Sequence, residues 1–289
     1  MQRSNPKKRL RKPQKQSRPG RESKMIPPPV FDDPVVRASG KLNGKVAVIT
    51  GGDSGIGRAV ATLFAKEGAN IAIVYYNEHE DARETKRIVE EDFGRKCLLI
   101  AGDLGKEKFC TSAAKKIIKQ FKTVNVLINN AGMHYERDSI KDISEKQLVK
   151  TFETNVFSLF YMTSALLDVM PQGSAIINTA SVTAYRGSAK LIDYSSTKGA
   201  IVSFTRSLSA NLVDKNIRVN AVAPGPIWTP LIAASFDPKK VSTFGSDSPM
   251  KRAGQPVEVA PCYLFLACDD SSYITGQTLH PNGGEIING

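Results

Sequence analysis

Val46-Ala-Val-Ile-Thr50 leads directly into Gly51-Gly-Asp-Ser-Gly-Ile-Gly57, and this stretch predicts the fold. The first five residues form an apolar, β-branched run that is typical of a buried strand. The glycines at 51, 55 and 57 allow a tight turn before a helical segment that starts at Ile56. The N-terminus of such a helix can hold a pyrophosphate. A glycine-rich turn without a ligand is the alternative, but the strand before it and the helix after it favour a dinucleotide site.

The rest of the chain repeats this alternation of strand and helix. Predicted strands cover residues 46–50, 70–76, 96–101, 124–129, 174–180, 218–223 and 277–281, and predicted helices cover 56–67, 80–92, 106–121, 144–170, 192–212 and 256–267. Strict alternation predicts an α/β fold, a single doubly wound Rossmann domain over 42–289 with a parallel sheet and helices on both faces. Residues 226–250 break the rhythm and form an irregular segment long enough for a functional loop.

The positive charge of the chain is concentrated at its N-terminus. The net charge is +12, and residues 1–24 carry ten Lys or Arg against one Glu, so the rest is nearly neutral. This stretch has no apolar periodicity, which predicts a basic disordered tail over residues 1–24. Such a tail could contact the phosphates of nucleic acid or lipid, but a solvated tail without a binding role is favoured.

A proline-rich segment follows the basic tail. Three consecutive prolines begin at Pro27 and predict an extended arm over residues 25–41. The arm has apolar side chains to bury, including Phe31, so we expect it to pack along the body or against a neighbouring subunit.

The compartment is predicted from the termini and the cysteines. No apolar run approaches the length of a membrane span, and the first residues lack the apolar stretch of a secretory signal. The four cysteines (Cys97, Cys110, Cys262 and Cys268) show neither CxxC pairing nor metal-ligand spacing. We therefore predict a cytoplasmic protein with reduced, structural thiols and no metal site.

Tyr194 and Lys198 are the strongest candidates for acid/base chemistry. They are four residues apart, so in a helix they share one face. A phenol titrates near pH 10, and a neighbouring ammonium group favours its phenolate form. A chance surface pair is the alternative for this spacing taken alone. A tyrosine activated in this way can serve as an acid/base at neutral pH.

Several motifs together resemble one enzyme family. They are Gly-x-x-x-Gly-x-Gly from Gly51, Asn129-Asn-Ala-Gly132, Asn155, Ser181, Tyr194-x-x-x-Lys198 and Pro224-Gly225. In this order, they resemble the short-chain dehydrogenase/reductase family. The long N-terminal arm is similar to that of a bacterial group described as glucose/ribitol dehydrogenase-like or general stress proteins. The resemblance implies an NAD(P)-dependent oxidoreductase that interconverts an alcohol and a ketone or aldehyde.

The resemblance also implies roles for individual residues. Tyr194 is expected to be the acid/base, Ser181 to position the carbonyl oxygen, and Lys198 to lower the tyrosine pKa and hold the nicotinamide ribose. Asn155 is expected to help hold a water of the proton relay. A structural role is the alternative for each, and their joint occurrence disfavours it. The expected cofactor-binding residues are Gly51, Asp53, Ser54, Gly55, Ile56, Gly57, Tyr75, Asp103, Leu104, Asn129, Ala131, Gly132, Tyr194, Lys198, Pro224, Gly225, Ile227 and Thr229.

The choice between NAD and NADP depends on the end of the second strand. Tyr75 stands where an acidic residue would bind the ribose of NAD, or a cation the phosphate of NADP. Ser54 replaces a cation in the glycine turn, and Glu78 and Glu80 would repel a phosphate. These residues favour NAD.

The substrate is expected to contact Met133, His134, Tyr135, Tyr185 and the loop 227–250. His134 and the tyrosines suit a polar, hydroxylated or carbonyl compound, and a surface role for each stays open. His280, in the last predicted strand, is interpreted as a packed or interface histidine and not as a catalytic one.

Two other functions stay open. An acyl-carrier-linked 3-oxoacyl reductase would draw an acidic protein partner to a basic surface. A dinucleotide-sensing or nucleic-acid-associated regulator would use the basic tail, although such a sensor has no need of Ser181, Tyr194 and Lys198 together. The resemblance also implies a homotetramer or dimer, with the helices around 144–170 and 192–212 paired between subunits. We expect neither a membrane nor a nucleic acid as a partner.

Overall fold

A computed structural model of the protein describes residues 7–287. Its centre is a sheet of seven strands in the order β3-β2-β1-β4-β5-β6-β7, and all of the pairings are parallel. The strands are β1 (Val46–Thr50), β2 (Asn70–Tyr75), β3 (Cys97–Ala101), β4 (Val126–Asn129), β5 (Ala175–Thr179), β6 (Arg218–Val222) and β7 (Thr278–Leu279). The order reverses between β1 and β4, which confirms the predicted doubly wound sheet.

Helices connect the strands and cover both faces of the sheet. In chain order they are α1 (Gly55–Lys66), α2 (His79–Arg87), α3 (Glu107–Phe121), α4 (Glu145–Phe152), α5 (Ser158–Leu166), α6 (Thr183–Arg186), α7 (Ile192–Leu212), α8 (Pro230–Ser235), α9 (Pro238–Thr243) and α10 (Pro256–Ala267). Phe64 of α1 and Tyr263 of α10 are fully buried on one face. Ile117 of α3 and Leu166 of α5 are fully buried on the other. Because both faces are covered, the strands are apolar almost throughout.

Three predicted segments differ in detail from the structure, and the first is the helix predicted over 80–92, in which α2 ends at Arg87 and a π-helical segment, Ile88–Asp92, follows. The single helix predicted over 144–170 is divided into α4 and α5 by a π-helical segment, Glu153–Phe157. The irregular loop predicted over 226–250 contains α8 and α9, each of which begins with a proline after an extended residue, Thr229 or Asp237. Proline is favoured at this first helical position because it has no N–H to leave unpaired.

The basic tail differs most from its prediction. Residues 1–6 lie outside the described part of the chain, and residues 7–30, which we name the N-terminal strap, pack on the body. The Leu10 N–H donates to the Ser242 carbonyl at 2.8 Å, and the Gln16 N–H donates to the Ala233 carbonyl at 2.9 Å. The structure therefore places residues 10–16 against α8 and α9, whereas the composition predicts a disordered tail over residues 1–24.

Polar contacts explain how such a sequence can be ordered. The Arg11 guanidinium donates to the carbonyls of Val241 and Phe244 at 3.2 and 3.1 Å, and it lies 4.0 Å from the ring centre of Trp228. The arginine thus satisfies backbone groups at the end of α9 and covers an aromatic ring. In place of apolar periodicity, the strap therefore uses hydrogen bonds to the body, and those of Arg11 go to the loop that contains α9.

The first part of the proline-rich arm packs along the body of the same chain. The sequence predicts this position or one against a neighbouring subunit. Met25 is buried beside Trp228, whose indole N–H donates to the Pro27 carbonyl at 2.9 Å. Farther on, the Val257 N–H of α10 donates to the Val30 carbonyl at 3.0 Å. Val35, in contrast, is 82% exposed. Within residues 7–287, no helix has both the length and the apolar character that a membrane span requires.

Candidate active site

A cavity of about 950 Å³ opens at the carboxyl ends of the central strands. The turn after β1, the residues after β4 and β5, the start of α7, the loop after β6 and the strap all contribute to its wall. Ligands of doubly wound sheets bind at this edge, where the strand order reverses. The topology therefore places the predicted motifs around one site.

The glycine turn has the shape that a dinucleotide requires. Gly51 and Gly55 have φ angles of +63° and +54°, in the left-handed region that favours glycine. A Cβ atom at Gly57 would lie 1.9 Å from the Gly51 carbonyl oxygen, so only glycine lets α1 start this close to the turn. The N-terminus of α1 faces the cavity through Gly55 and Ile56. The N–H groups of such a turn suit a pyrophosphate, but the Gly55 N–H already donates to the buried Glu22 carboxylate at 2.5 Å.

Nearly all of the predicted cofactor residues line the cavity, and Gly57 and Asn129 are the exceptions. The Asn129 amide is buried and donates to the Asn178 side chain at 2.9 Å, which joins β4 to β5. Asn130, which the sequence reasoning missed, lines the cavity instead and donates to the carbonyls of Thr50 and Gly51. Successive side chains of a strand point to opposite faces of the sheet, so Asn129 and Asn130 cannot both face the cavity. This alternation was the available sequence signal.

Asp103 lies in the cavity wall, but protein groups bind both of its carboxylate oxygens. Lys150 donates to one at 2.7 Å and the Gly105 N–H donates to the other at 2.9 Å. Burial alone would raise the pKa of Asp103, but these two hydrogen bonds hold it below its ordinary value. The carboxylate is thereby fixed in its charged form at the edge of the site.

Tyr194, Ser181 and Lys198 face the same cavity. Tyr194 and Lys198 lie one turn apart on α7, and the Lys198 ammonium is 5.4 Å from the centre of the phenol ring. Lys198 donates to the Thr179 carbonyl at 2.6 Å. The Ser181 hydroxyl, just after β5, accepts hydrogen bonds from the N–H and hydroxyl of Thr183 at 3.2 and 3.1 Å. The strand end and the helix thus place a phenol, a hydroxyl and an amine together.

Burial dominates the titration of these groups. It raises the pKa of Tyr194 to about 12, although the Ser181 hydroxyl acts in the opposite direction. It also lowers the pKa of Lys198 to about 7. The expected lowering of the tyrosine pKa by Lys198 therefore does not prevail, because burial disfavours both charges. At neutral pH, the phenol holds its proton and can donate it to a carbonyl oxygen.

Asn155 is buried behind the cavity and does not form part of its wall. It lies in the π-helical segment Glu153–Phe157. Its side chain accepts from the Met133 N–H at 2.8 Å and donates to the Met133 carbonyl and to the Thr197 hydroxyl at 2.9 and 3.0 Å. It therefore ties the segment after β4 to the helix that carries Tyr194.

His134 is a polar side chain beside the phenol. It is only 3% exposed, and its ring centre lies 5.1 Å from that of Tyr194. Burial, and then the charges of Arg18, Lys240 and Lys198, lower its pKa to about 3, so the imidazole is neutral. Within the described residues, its Nδ1 has no hydrogen-bond partner. An unpartnered buried polar atom calls for an explanation, and His134 is one of the residues that line the cavity.

The other expected substrate residues divide into two groups. Met133 and Tyr135 line the cavity together with His134, whereas Tyr185 does not. Tyr185 packs against His280, with ring centres 4.8 Å apart. His280 is thus a packing partner of Tyr185 outside the cavity. The strap adds Lys7, Arg18, Pro19 and Gly20 to the wall, and the sequence reasoning missed them.

Comparisons with known proteins identify relatives of this chain. A family model described as enoyl-(acyl carrier protein) reductase matches residues 51–285. General stress protein 39 of Bacillus subtilis is 58% identical, over 95% of this chain and 96% of its own. NADPH-dependent aldehyde reductase 1 of Arabidopsis thaliana is 51% identical over 96% of this chain and 98% of its own, and glucose and ribitol dehydrogenase of Daucus carota is 50% identical over 96% and 97%.

A solved structure shows the same architecture. A short-chain dehydrogenase from Burkholderia cenocepacia, in complex with NADP, superposes with a TM-score of 0.79 at 27% sequence identity. The match covers 84% of this chain and 98% of that chain.

Proposed function

The chain belongs to the short-chain dehydrogenase/reductase family, and from this premise we propose that Tyr194 transfers the proton of its reaction. The enzyme is an NAD(P)-dependent oxidoreductase that interconverts an alcohol and a ketone or aldehyde. One observation carries the proposal: Tyr194, Ser181 and Lys198 line the same cavity as the glycine turn.

The cavity residues divide the work of carbonyl reduction. A bound NAD(P)H supplies the hydride. The Tyr194 phenol donates a proton to the carbonyl oxygen as charge develops there, and the Ser181 hydroxyl positions that oxygen. Lys198, which is held by the Thr179 carbonyl, lies behind the phenol and is available to the nicotinamide ribose. Burial raises the pKa of Tyr194 to about 12, which keeps the phenol protonated and able to donate at neutral pH.

We propose a polar carbonyl compound as the substrate. His134 supports this choice, because its neutral imidazole lies beside Tyr194 with Nδ1 unpartnered among the described residues. A substrate hydroxyl next to the carbonyl could pair with that atom. Hydroxy-aldehydes and polyols are therefore the compounds to test first, with both nicotinamide cofactors. Oxidation of reduced cofactor by such aldehydes supports the function, and its absence with every aldehyde and ketone would refute it.

We propose NAD as the preferred cofactor. Asp53 and Glu78 are buried at the glycine-turn end of the cavity, and no Lys or Arg in residues 7–287 forms an ion pair with either. Burial, and then the charge of Glu78, raise the pKa of Asp53 to about 7. The Glu78 carboxylate would repel a phosphate, and the Asp53 carboxyl, which titrates near neutral pH, adds only part of a negative charge but can hydrogen-bond to ribose hydroxyls in either protonation state. The proposal separates this chain from the Arabidopsis relative, whose name states NADPH dependence.

The preference predicts a difference in binding that calorimetry can measure. We expect NADH to bind at least about tenfold more tightly than NADPH, because like charges brought together cost several kcal/mol. In the variant Asp53→Asn, the difference should decrease, since one of the two carboxyl groups is gone. Tighter binding of NADPH by the unaltered protein would contradict the proposal.

The acyl-carrier alternative has less support. The description of the family model supports it, whereas relatives at about 50% identity are named aldehyde reductase or glucose and ribitol dehydrogenase. The basic segment that would attract an acidic carrier is the strap, and its Arg11 is engaged with Trp228 and α9. No second function is therefore proposed.

We propose that the enzyme works in the cytoplasm as a homo-oligomer. Its four cysteines are free and at least partly buried, as reduced structural thiols of a cytoplasmic protein would be.

The π-helical segment and α5 expose Phe157 and Phe160 at 41% and 52%, which suits a subunit contact. Light scattering of protein taken from the cytoplasmic fraction should give a dimer or tetramer mass. The mass of one chain would contradict the proposal.

A further inference from the structure

The N-terminal strap forms part of the cavity wall. Arg18, Pro19 and Gly20 belong to the wall, and Gly20 lies so close to α8 that a Cβ atom there would be 2.3 Å from the Pro230 carbonyl oxygen. Gln16, two residues before Arg18, is held by its backbone bond to Ala233. Arg18 is therefore carried by a segment that is fixed on both sides.

The Arg18 side chain is directed at the residues around the phenol. Its guanidinium lies 4.4 Å from the ring centre of Tyr135 and donates to the Ser235 carbonyl at 3.5 Å, a long hydrogen bond. Its charge is one of those that lower the pKa of His134, which stands next to Tyr194. Arg18 is thus close to the end of the cavity where the carbonyl reacts.

Arg18 differs from the other cationic side chains of the cavity wall. Four of them form ion pairs: Lys7 with Asp247 at 3.0 Å, Lys150 with Asp103 at 2.7 Å, Arg186 with Glu285 at 2.7 Å and Lys240 with Glu136 at 2.5 Å. Lys198 belongs to the proton relay. Within residues 7–287, Arg18 has no carboxylate at ion-pair distance, and its charged neighbour is another cation, Arg137.

This arrangement leaves a strong donor without a strong acceptor. A guanidinium carries five N–H groups in a fork that matches a carboxylate or phosphate. Partial burial lowers the pKa of Arg18, as expected for a cation that lacks a counter-ion. Asp53 and Glu78 also line the cavity, but neither is at ion-pair distance from Arg18 within the described residues. Arg18 is therefore the cation of the wall whose charge these residues leave unbalanced.

We propose that Arg18 binds an anionic group of the carbonyl substrate, a phosphate or a carboxylate. This inference rests on the proposed function, since it names the class of compound that the same site reduces. The carbonyl faces Tyr194 and Ser181, a hydroxyl group pairs with His134, and the anionic group lies against Arg18. The strap is then a specificity-determining part of the active site.

Matched pairs of aldehydes test the proposal. Glyceraldehyde 3-phosphate is compared with glyceraldehyde, and succinate semialdehyde with butanal, so that phosphate and carboxylate are tested separately. The measured quantity is the ratio of kcat/KM for the anionic compound to that for the neutral one. The proteins are the full chain, Arg18→Gln, Arg18→Lys and the control Arg21→Gln. Arg21 lies three residues away, pairs with Glu80 and is not in the wall.

In the unaltered protein, at least one pair should give a ratio of roughly ten or more, because a hydrogen bond between charged groups stabilises binding by an amount that corresponds to about this factor. Arg18→Gln should bring this ratio close to one, Arg18→Lys should keep part of it, and Arg21→Gln should leave it unchanged. The ratio in the unaltered protein should also fall as salt is added, which tests the charge without any variant.

Other outcomes distinguish a failure of the Arg18 proposal from a failure of the proposed function. The role of Arg18 would be overturned if neutral aldehydes were turned over and the ratio were near one for both pairs. It would also be overturned if neither Arg18→Gln nor salt changed the ratio. Both results would leave the proposed function intact. If Arg18→Gln changed the KM for the cofactor and left the ratio unchanged, Arg18 would act on the cofactor. This result would also overturn the proposed role of Arg18. Absence of turnover with every aldehyde would refute the proposed function itself.

Discussion

Replacing Tyr194 with phenylalanine is expected to lower kcat for carbonyl reduction by roughly 10²- to 10⁴-fold, because the variant loses the proton donor of the reaction. The ring stays in place beside His134, and the hydroxyl is the only group removed. The Kd for reduced cofactor should therefore remain close to that of the unaltered protein. Steady-state kinetics with an active aldehyde and calorimetry with the cofactor measure the two quantities.

Tyr185→Phe is the matched control for this experiment. It removes the same atom from a tyrosine whose hydroxyl is buried, has no partner among the described residues and lies outside the cavity wall. We expect its kcat to be close to that of the unaltered protein. If Tyr194→Phe also kept nearly full activity, the proton would have another source and the proposed mechanism would be wrong.

Gly57→Ala is expected to abolish most of the cofactor affinity. Its Cβ atom would lie 1.9 Å from the Gly51 carbonyl oxygen and 2.9 Å from the Asn130 amide nitrogen, so the turn and the start of α1 must move apart. Overpacking of this kind costs about 1–3 kcal/mol or more, which corresponds to a loss of roughly 10- to 100-fold in Kd if the strain falls on the bound geometry. Calorimetric titration with NADH measures the loss.

Gly199→Ala is the control for that substitution. Gly199 lies within α7, where a Cβ atom would meet no heavy atom within 4 Å. We expect unchanged cofactor binding and a helix more stable by up to about 1 kcal/mol. Its mass should be checked by light scattering, because we expect α7 at a subunit interface. Equal cofactor affinity in Gly57→Ala and the unaltered protein would contradict the account of the turn.

The sheet and its main helices could be predicted because their signals are local. Each strand is a short β-branched run, and each turn or helix boundary carries its own glycine, proline or capping residue. The helices α8 and α9 were predictable in the same way from Thr229-Pro230 and Asp237-Pro238, although the segment was interpreted as irregular. The π-helical segment around Asn155 was not predictable, because its one extra residue per turn leaves no periodic pattern.

The site residues show where reasoning from motifs reaches its limit. A motif identifies a neighbourhood but not the direction of each side chain, so Asn129 was expected in the cavity and its neighbour Asn130 lines it. The pKa of Tyr194 is a second example of this limit. The proximity of Lys198 suggested a low pKa for Tyr194, but burial, which the sequence does not show, raises it to about 12.

The strap could not be predicted because its partners are distant in sequence. Arg11 binds backbone carbonyls more than 200 residues away, and backbone carbonyls have no sequence signature. Composition alone therefore described residues 7–24 as a solvated tail. Glu22 was the one irregular feature, a single acid among ten cations, and it is buried, with its carboxylate accepting from the Gly55 N–H and the Arg58 guanidinium.

Deuterium transfer from NADH in which both hydrogens of the reactive nicotinamide carbon are deuterium tests hydride transfer and the role of Tyr194 together. The unaltered protein and Tyr194→Phe are each incubated with the labelled cofactor and an active hydroxy-aldehyde, and the alcohol is examined by mass spectrometry. We predict one deuterium per product molecule from the unaltered protein and almost no product from the variant. An alcohol without deuterium, or equal product from both proteins, would contradict hydride transfer with Tyr194 as the proton donor.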